Sequence, residues 1–89
     1  MKESYLEVTY RHGQPLAAYL YLPRRECQKS VRTRRVDPGL IVDFAESGQP
    51  IGIEITAPAQ LTVVTLNRLL RELGCAPVRR TDLAPLRAA

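Results

Sequence analysis

Apolar and polar residues alternate along much of this chain as far as Ile55, and the period changes only after it. Tyr5 to Tyr10 (YLEVTY) is rich in β-branched and aromatic residues with partial alternation, which predicts a strand. Arg11-His12-Gly13-Gln14-Pro15 is turn material, with Gly13 able to take a positive φ. Leu16 to Leu22 (LAAYLYL) places Leu16, Ala18, Leu20 and Leu22 on one face and Ala17, Tyr19 and Tyr21 on the other. Both faces can be covered, as in a central strand. These two runs predict a first hairpin.

A polar connection, Pro23 to Lys29, leads to Ser30 to Val36 (SVRTRRV), a strand with one charged face. Asp37-Pro38-Gly39 is a strong turn signal. Leu40, Val42 and Phe44 then alternate with Ile41, Asp43 and Ala45, and Glu46-Ser47-Gly48-Gln49 makes a second turn. Ile51, Ile53 and Ile55 alternate with Gly52 and Glu54, the cleanest period of two in the sequence. Ala57-Pro58-Ala59-Gln60 ends the strand. Leu66, Leu69, Leu70 and Leu73 then follow at i, i+3, i+4 and i+7, one apolar stripe of a helix. Thr65 is a candidate N-cap, Thr62 marks an earlier possible start, and Gly74 sits where a C-capping glycine belongs. Ala76 to Ala89, with Pro77 and Pro85, shows no period and is expected as a poorly ordered tail.

The expected fold class is therefore α+β. It is an antiparallel sheet of about five strands, two hairpins plus one strand, with one C-terminal helix packed on one face. The domain is expected over residues 1–75 and the tail over 76–89. Either plausible register across Asp37-Pro38-Gly39 puts Arg32 and Arg34 on the face of Ile41 and Asp43, and a four-residue second turn adds Glu54 to it. The other face holds Val31, Leu40, Val42, Phe44 and the three isoleucines, with Arg35 near its margin. The leucine stripe is expected on the isoleucine face.

Composition narrows the class. At 89 residues, 45% hydrophobic and 25% charged, the chain has the makeup of one small globular domain, too short for an enzyme with its own cofactor domain. Domains of this size bury roughly 60–65% of their unfolded surface, so a second chain would add core. No apolar run is long enough for a membrane span, and Met1-Lys2-Glu3-Ser4 does not open a signal peptide. Cys27 and Cys75 are isolated, which predicts reduced thiols in the cytoplasm rather than a disulfide framework.

The net charge is +4, with 13 Lys and Arg against 9 Asp and Glu. The candidate basic patch comprises Arg24, Arg25, Arg32, Arg34 and Arg35, with Arg79 and Arg80 further along. Gathered in space, these would bind phosphates. Yet aromatic interleaving is nearly absent, and single-strand binding usually relies on stacking. Asp43 and Glu54 read as cross-strand partners of Arg32 and Arg34 rather than as an acid–base or metal pair. His12 is a lone turn histidine without ligand-spaced neighbours, and no glycine cluster forms a phosphate loop. No cofactor, metal or catalytic residue is expected. Tyr19, Tyr21, Val36 and Ile41, pointing away from the helix, form the candidate interface.

The string Val36-Asp37-Pro38-Gly39-Leu40-Ile41-Val42-Asp43, with Gly48 and Gly52-Ile53-Glu54-Ile55, resembles a bacterial family, the domain-of-unknown-function family number 2283. Val8-Thr9-Tyr10 and Tyr19-Leu20-Tyr21-Leu22 fit it too, so the likeness covers residues 4–57. The family usually carries an acidic first turn, where this chain has Arg11 to Pro15. The resemblance implies a β-rich sheet and no reaction. It also implies a small operon-borne protein, in some cases beside a toxin gene, and hence an antitoxin-like or regulatory role. Taken together, the sequence predicts a non-enzymatic interaction module, a homodimer without membrane contact. The alternative is a basic nucleic-acid-binding domain.

Overall fold

In the computed structural model, which describes residues 3–24, 28–37 and 39–86, the chain folds as β1 (Tyr5–Arg11), β2 (Gln14–Tyr21), β3 (Arg32–Asp37), β4 (Leu40–Phe44), β5 (Pro50–Ile55) and α1 (Val63–Glu72). Short 3₁₀ helices span Pro58–Gln60 and Arg80–Leu86. The five strands form one antiparallel sheet in the order β1-β2-β5-β4-β3. The fold class is the expected α+β.

The first hairpin closes on two residues. His12 (φ 53°) and Gly13 (φ 76°) both take the left-handed conformation, as a two-residue turn matched to strand twist requires. The strands therefore run further into the turn than the sequence suggested. Opposite Thr9 and Tyr10 the register slips by one, leaving Leu16 as the extra residue of a bulge. That is why Leu16, expected on the core face, is 52% exposed, while Ala18, Leu20 and Leu22 are buried.

The second hairpin, β4–β5, turns where expected, closed by Gly48 N–H to Ala45 O and Ala45 N–H to Gln49 O, both 2.9 Å. β5 then lies between β4 and β2, with Ile53 opposite both Leu20 and Val42. This central place suits its sequence, because Ile51, Gly52 and Ile53 are all buried. One layer covers the isoleucine side. Leu66, Leu69 and Leu70 of α1 share a continuous core with Leu20, Val42, Phe44, Ile53 and Ile55.

Of the two helix starts, Thr62 is the one used, its side chain accepting the Thr65 N–H at 3.1 Å. The helix ends in a Schellman motif: Gly74 (φ 75°) donates to Arg71 O at 3.1 Å, and Cys75 donates to Leu70 O at 2.8 Å. Among the described residues no helix is long and apolar enough to cross a membrane.

Two expectations change. The segment after residue 75 is not a loose tail over 76–86. Asn67 clasps the backbone of Val78 through both its amide groups, at 2.8 and 3.0 Å. Leu83 and Leu86 are buried in the core, and the Tyr10 hydroxyl donates to Pro85 O at 2.9 Å. The packed unit thus runs through Leu86; residues 87–89 lie outside the described residues. The second change is in register. Asp37 pairs with Leu40 but Arg35 with Ile41, so Val36 is an extra residue in a bulge. A slip of one residue exchanges faces for everything before it. Arg32 and Arg34 therefore stand opposite Phe44 and Val42 on the helix side, and Thr33 and Arg35 opposite Asp43 and Ile41.

Truncation of Ile53 to alanine is expected to cost about 2–4 kcal/mol, and so is Leu86→Ala, since both empty a packed core. Urea unfolding measures both. A Leu86→Ala loss below about 0.5 kcal/mol, the size of an ordinary surface change, would place the C-terminal leucines outside the cooperative unit.

Candidate interaction surface

The sheet face away from α1 carries the residues the core does not use. Cross-strand pairing sets Glu7, Tyr19, Glu54, Ile41 and Arg35 in one row across all five strands, in sheet order. The next row is Tyr5, Tyr21, Gly52, Asp43 and Thr33. Tyr19, Tyr21 and Ile41 are half-buried, whereas Tyr5, Glu7, Glu54 and Arg35 are exposed.

Tyr19 organises this face. Its ring lies over Gly52, so closely that a Cβ there would sit far inside van der Waals contact with the phenol oxygen. Its hydroxyl crosses β5 and donates to Asp43 Oδ2 on β4 at 2.5 Å. Burial, reinforced by that carboxylate, raises the Tyr19 pKa well above the ordinary tyrosine value. A phenol held neutral to high pH and bonded to a carboxylate acceptor on β4 clasps the strands together.

An aromatic strip extends from Tyr19 toward the β1 edge. Tyr21 meets Tyr19 edge-on, with centroids 4.7 Å apart, and stacks on Tyr5 at 4.4 Å and 14°. Tyr21 also donates to Glu7 Oε1 at 3.2 Å, and desolvation together with this bond raises its pKa. The Arg24 guanidinium lies 5.5 Å from the Tyr21 ring centre and donates to Ile51 O at 2.5 Å.

Of the expected interface, Tyr19, Tyr21 and Ile41 share this face. Val36 does not: its place in the bulge turns it to the core, against which it packs. The expected basic patch separates. Arg24 sits by Tyr21, Arg35 beside Ile41, and Arg32 and Arg34 lie over the Phe44 ring on the opposite face, at 4.9 and 5.4 Å. Arg25 and Cys27 lie outside the described residues. Arg79 bonds Asp82, through its backbone N–H at 2.8 Å and its guanidinium at 3.5 Å, which lowers the Asp82 pKa.

The expected pairing of Asp43 and Glu54 with Arg32 and Arg34 is thus replaced. Asp43 holds Tyr19, Glu54 lies between Tyr19 and Ile41, and the bulge carries the two arginines to the other side. Among the described residues, no group of three or more His, Cys, Asp or Glu could hold a metal ion. Sequence reasoning missed Tyr5 and the Tyr19–Gly52–Asp43 clasp. A glycine inside a run of isoleucines was the available signal, since such a position often admits a ring from the next strand.

What these features define is a small α+β domain whose sheet is covered on one side and presents an aromatic strip on the other. Residues 17–57, from within β2 through β5, match the family described as "Protein of unknown function (DUF2283)". Tyr19, Asp43, Gly52 and Glu54 all fall within the matched segment, in line with the sequence resemblance, whereas Val8-Thr9-Tyr10 lies outside it. No curated protein and no solved structure matches the chain.

Gly52→Ala is expected to destabilise the domain by about 1–3 kcal/mol, the usual cost of overpacking. In a Tyr19→Ala background the same change should cost far less, and a double-mutant cycle by chemical denaturation reads the coupling. Equal costs in both backgrounds would mean that the ring does not occupy the space above Gly52. The raised Tyr19 pKa sets a pH window. The unfolded chain ionises this phenol near pH 10, and the folded chain ionises it only at higher pH. The stability it contributes is therefore complete below about pH 10 and falls as pH rises beyond it. Denaturation curves between neutral and alkaline pH, wild type against Tyr19→Phe, isolate that loss.

Proposed function

We propose that this chain is a non-enzymatic protein-interaction module that forms a homodimer through the open sheet face. One observation carries this reading. Tyr5, Tyr21 and Tyr19 are in contact, and Ile41 lies beyond Glu54 in the row of Tyr19, on a face that no helix of the described chain covers. Tyrosine and arginine are favoured at interface centres, and an apolar strip rimmed by charge suits a contact between proteins. The charge order also supports self-association. Glu7 and Arg35 stand at opposite ends of one row, with Tyr19 and Ile41 inside them and Glu54 in the middle. A two-fold apposition that reverses this row sets Glu7 of each copy against Arg35 of the other, and Tyr19 against Ile41. Glu54 then meets its own copy at the axis.

The dispersal of Arg24, Arg35 and the Arg32–Arg34 pair over two faces favours this reading over a phosphate-binding surface, which needs its cations together. The half-buried Cys75, a free thiol, suits a reducing cytoplasm. The family match supplies no reaction.

Sedimentation or light scattering at moderate salt should show a dimer. Tyr21→Asp should dissociate it, Glu54→Gln should tighten it by removing the facing like charges, and Arg79→Ala should leave it unchanged. A monomer at high protein concentration would overturn the proposal. So would tight binding of short DNA or RNA that is lost steeply as salt rises.

A further inference from the structure

β3 ends the sheet, and among the described residues no strand lies beside its outer edge. Such an edge presents unpaired backbone N–H and C=O groups at alternate residues. Val31, Arg32, Thr33, Arg34 and Arg35 are all exposed, and Lys29 just before them is exposed too. The opposite edge is more encumbered: Tyr10 of β1 is tied to Pro85 of the 3₁₀ segment.

The side chains along β3 are cationic on both faces. Arg32 and Arg34 stand two residues apart, over the Phe44 ring, while Arg35 projects from the other side. Among the described residues, none of Arg32, Arg34 and Arg35 forms an ion pair with a carboxylate. The aromatic floor holds two guanidinium groups in place, and each has a donor fork that matches a carboxylate.

This arrangement refuses most strands. A second β3 brings arginine against arginine, and like charges directly opposite are destabilising. It selects one kind of strand, an extended segment with carboxylates at alternate positions.

We infer that β3 is a docking edge for an acidic extended peptide of a partner protein. The peptide adds as a sixth strand, its backbone pairing with β3 and its alternate carboxylates meeting Arg32 and Arg34. Arg32 and Arg34, which the carboxylates meet, lie on the helix side and take no part in the open-face contact, so dimerisation and peptide capture are tested independently at those two residues.

A labelled peptide of about ten residues alternating glutamate with valine serves as the probe, read by fluorescence anisotropy. Arg32→Glu with Arg34→Glu should weaken binding at least about tenfold, because like charges then face each other. Arg32→Gln with Arg34→Gln keeps much of the stem over Phe44 and should also weaken it, with the fold checked by thermal melting. N-methylation of alternate peptide residues separates strand addition from plain charge attraction. One phase should abolish binding and the other should spare it. Amide shift changes should centre on residues 31–35.

Equal binding by both methylated phases would overturn the inference, as would shift changes centred on Tyr5 and Tyr21. Binding unaffected by the glutamate variants would do the same. So would an oligonucleotide that displaces the peptide from Arg32 and Arg34 with higher affinity at the same salt.

Discussion

The ring of Tyr19 resting on Gly52, with its hydroxyl on Asp43, is the contact on which the rest of the molecule depends. β5 is the middle strand, joined to β4 through a tight turn and to β2 by long-range pairing alone. The isoleucines secure it from below. From above, one tyrosine of β2 spans it and bonds β4. The same ring gives Tyr21 its edge-on partner, and Tyr21 in turn stacks Tyr5. The order of the open face follows from one missing side chain, because any Cβ at position 52 would displace the ring.

The two sides of the sheet divide the work. The helix side is a continuous apolar core closed by α1 and the 3₁₀ helix, with Arg32 and Arg34 laid over Phe44 at its rim. Their guanidinium groups face the ring, a cation–π arrangement at the exposed rim of the core. The open side combines tyrosine, isoleucine and charges of both signs, with its aromatic part anchored by hydrogen bonds to Asp43 and Glu7. Aromatic rings held this way lose little freedom on binding, which suits an interface.

Strand existence, the second turn and the helix stripe were legible in the sequence because each is written in local period and turn chemistry. The face assignment on β3 was not. SVRTRRV alternates equally well in either register, and a single extra residue at Val36 decides which arginines face the core. The pairing of β2 with β5 was hidden for another reason. Those strands are distant in the chain, so Tyr19, Gly52 and Asp43 carry no shared local pattern. Leu83 and Leu86 were passed over because a 3₁₀ segment containing Pro85 shows neither the strand nor the α-helix period. Their spacing of three was the one trace of it.

The bonding of Tyr10 to Pro85, with Leu83 and Leu86 packed beside β1 and β2, links the earliest strands to a late segment. During synthesis the first hairpin can close as soon as it emerges, on local contacts alone. Its apolar underside then waits for β5, for α1 and finally for the two leucines. For that interval Leu6, Val8 and Leu20 are open to water and to other nascent chains. The hairpin made first is the one sealed last, and the rate at which the ribosome delivers Leu86 sets how long the unfinished domain is vulnerable to aggregation.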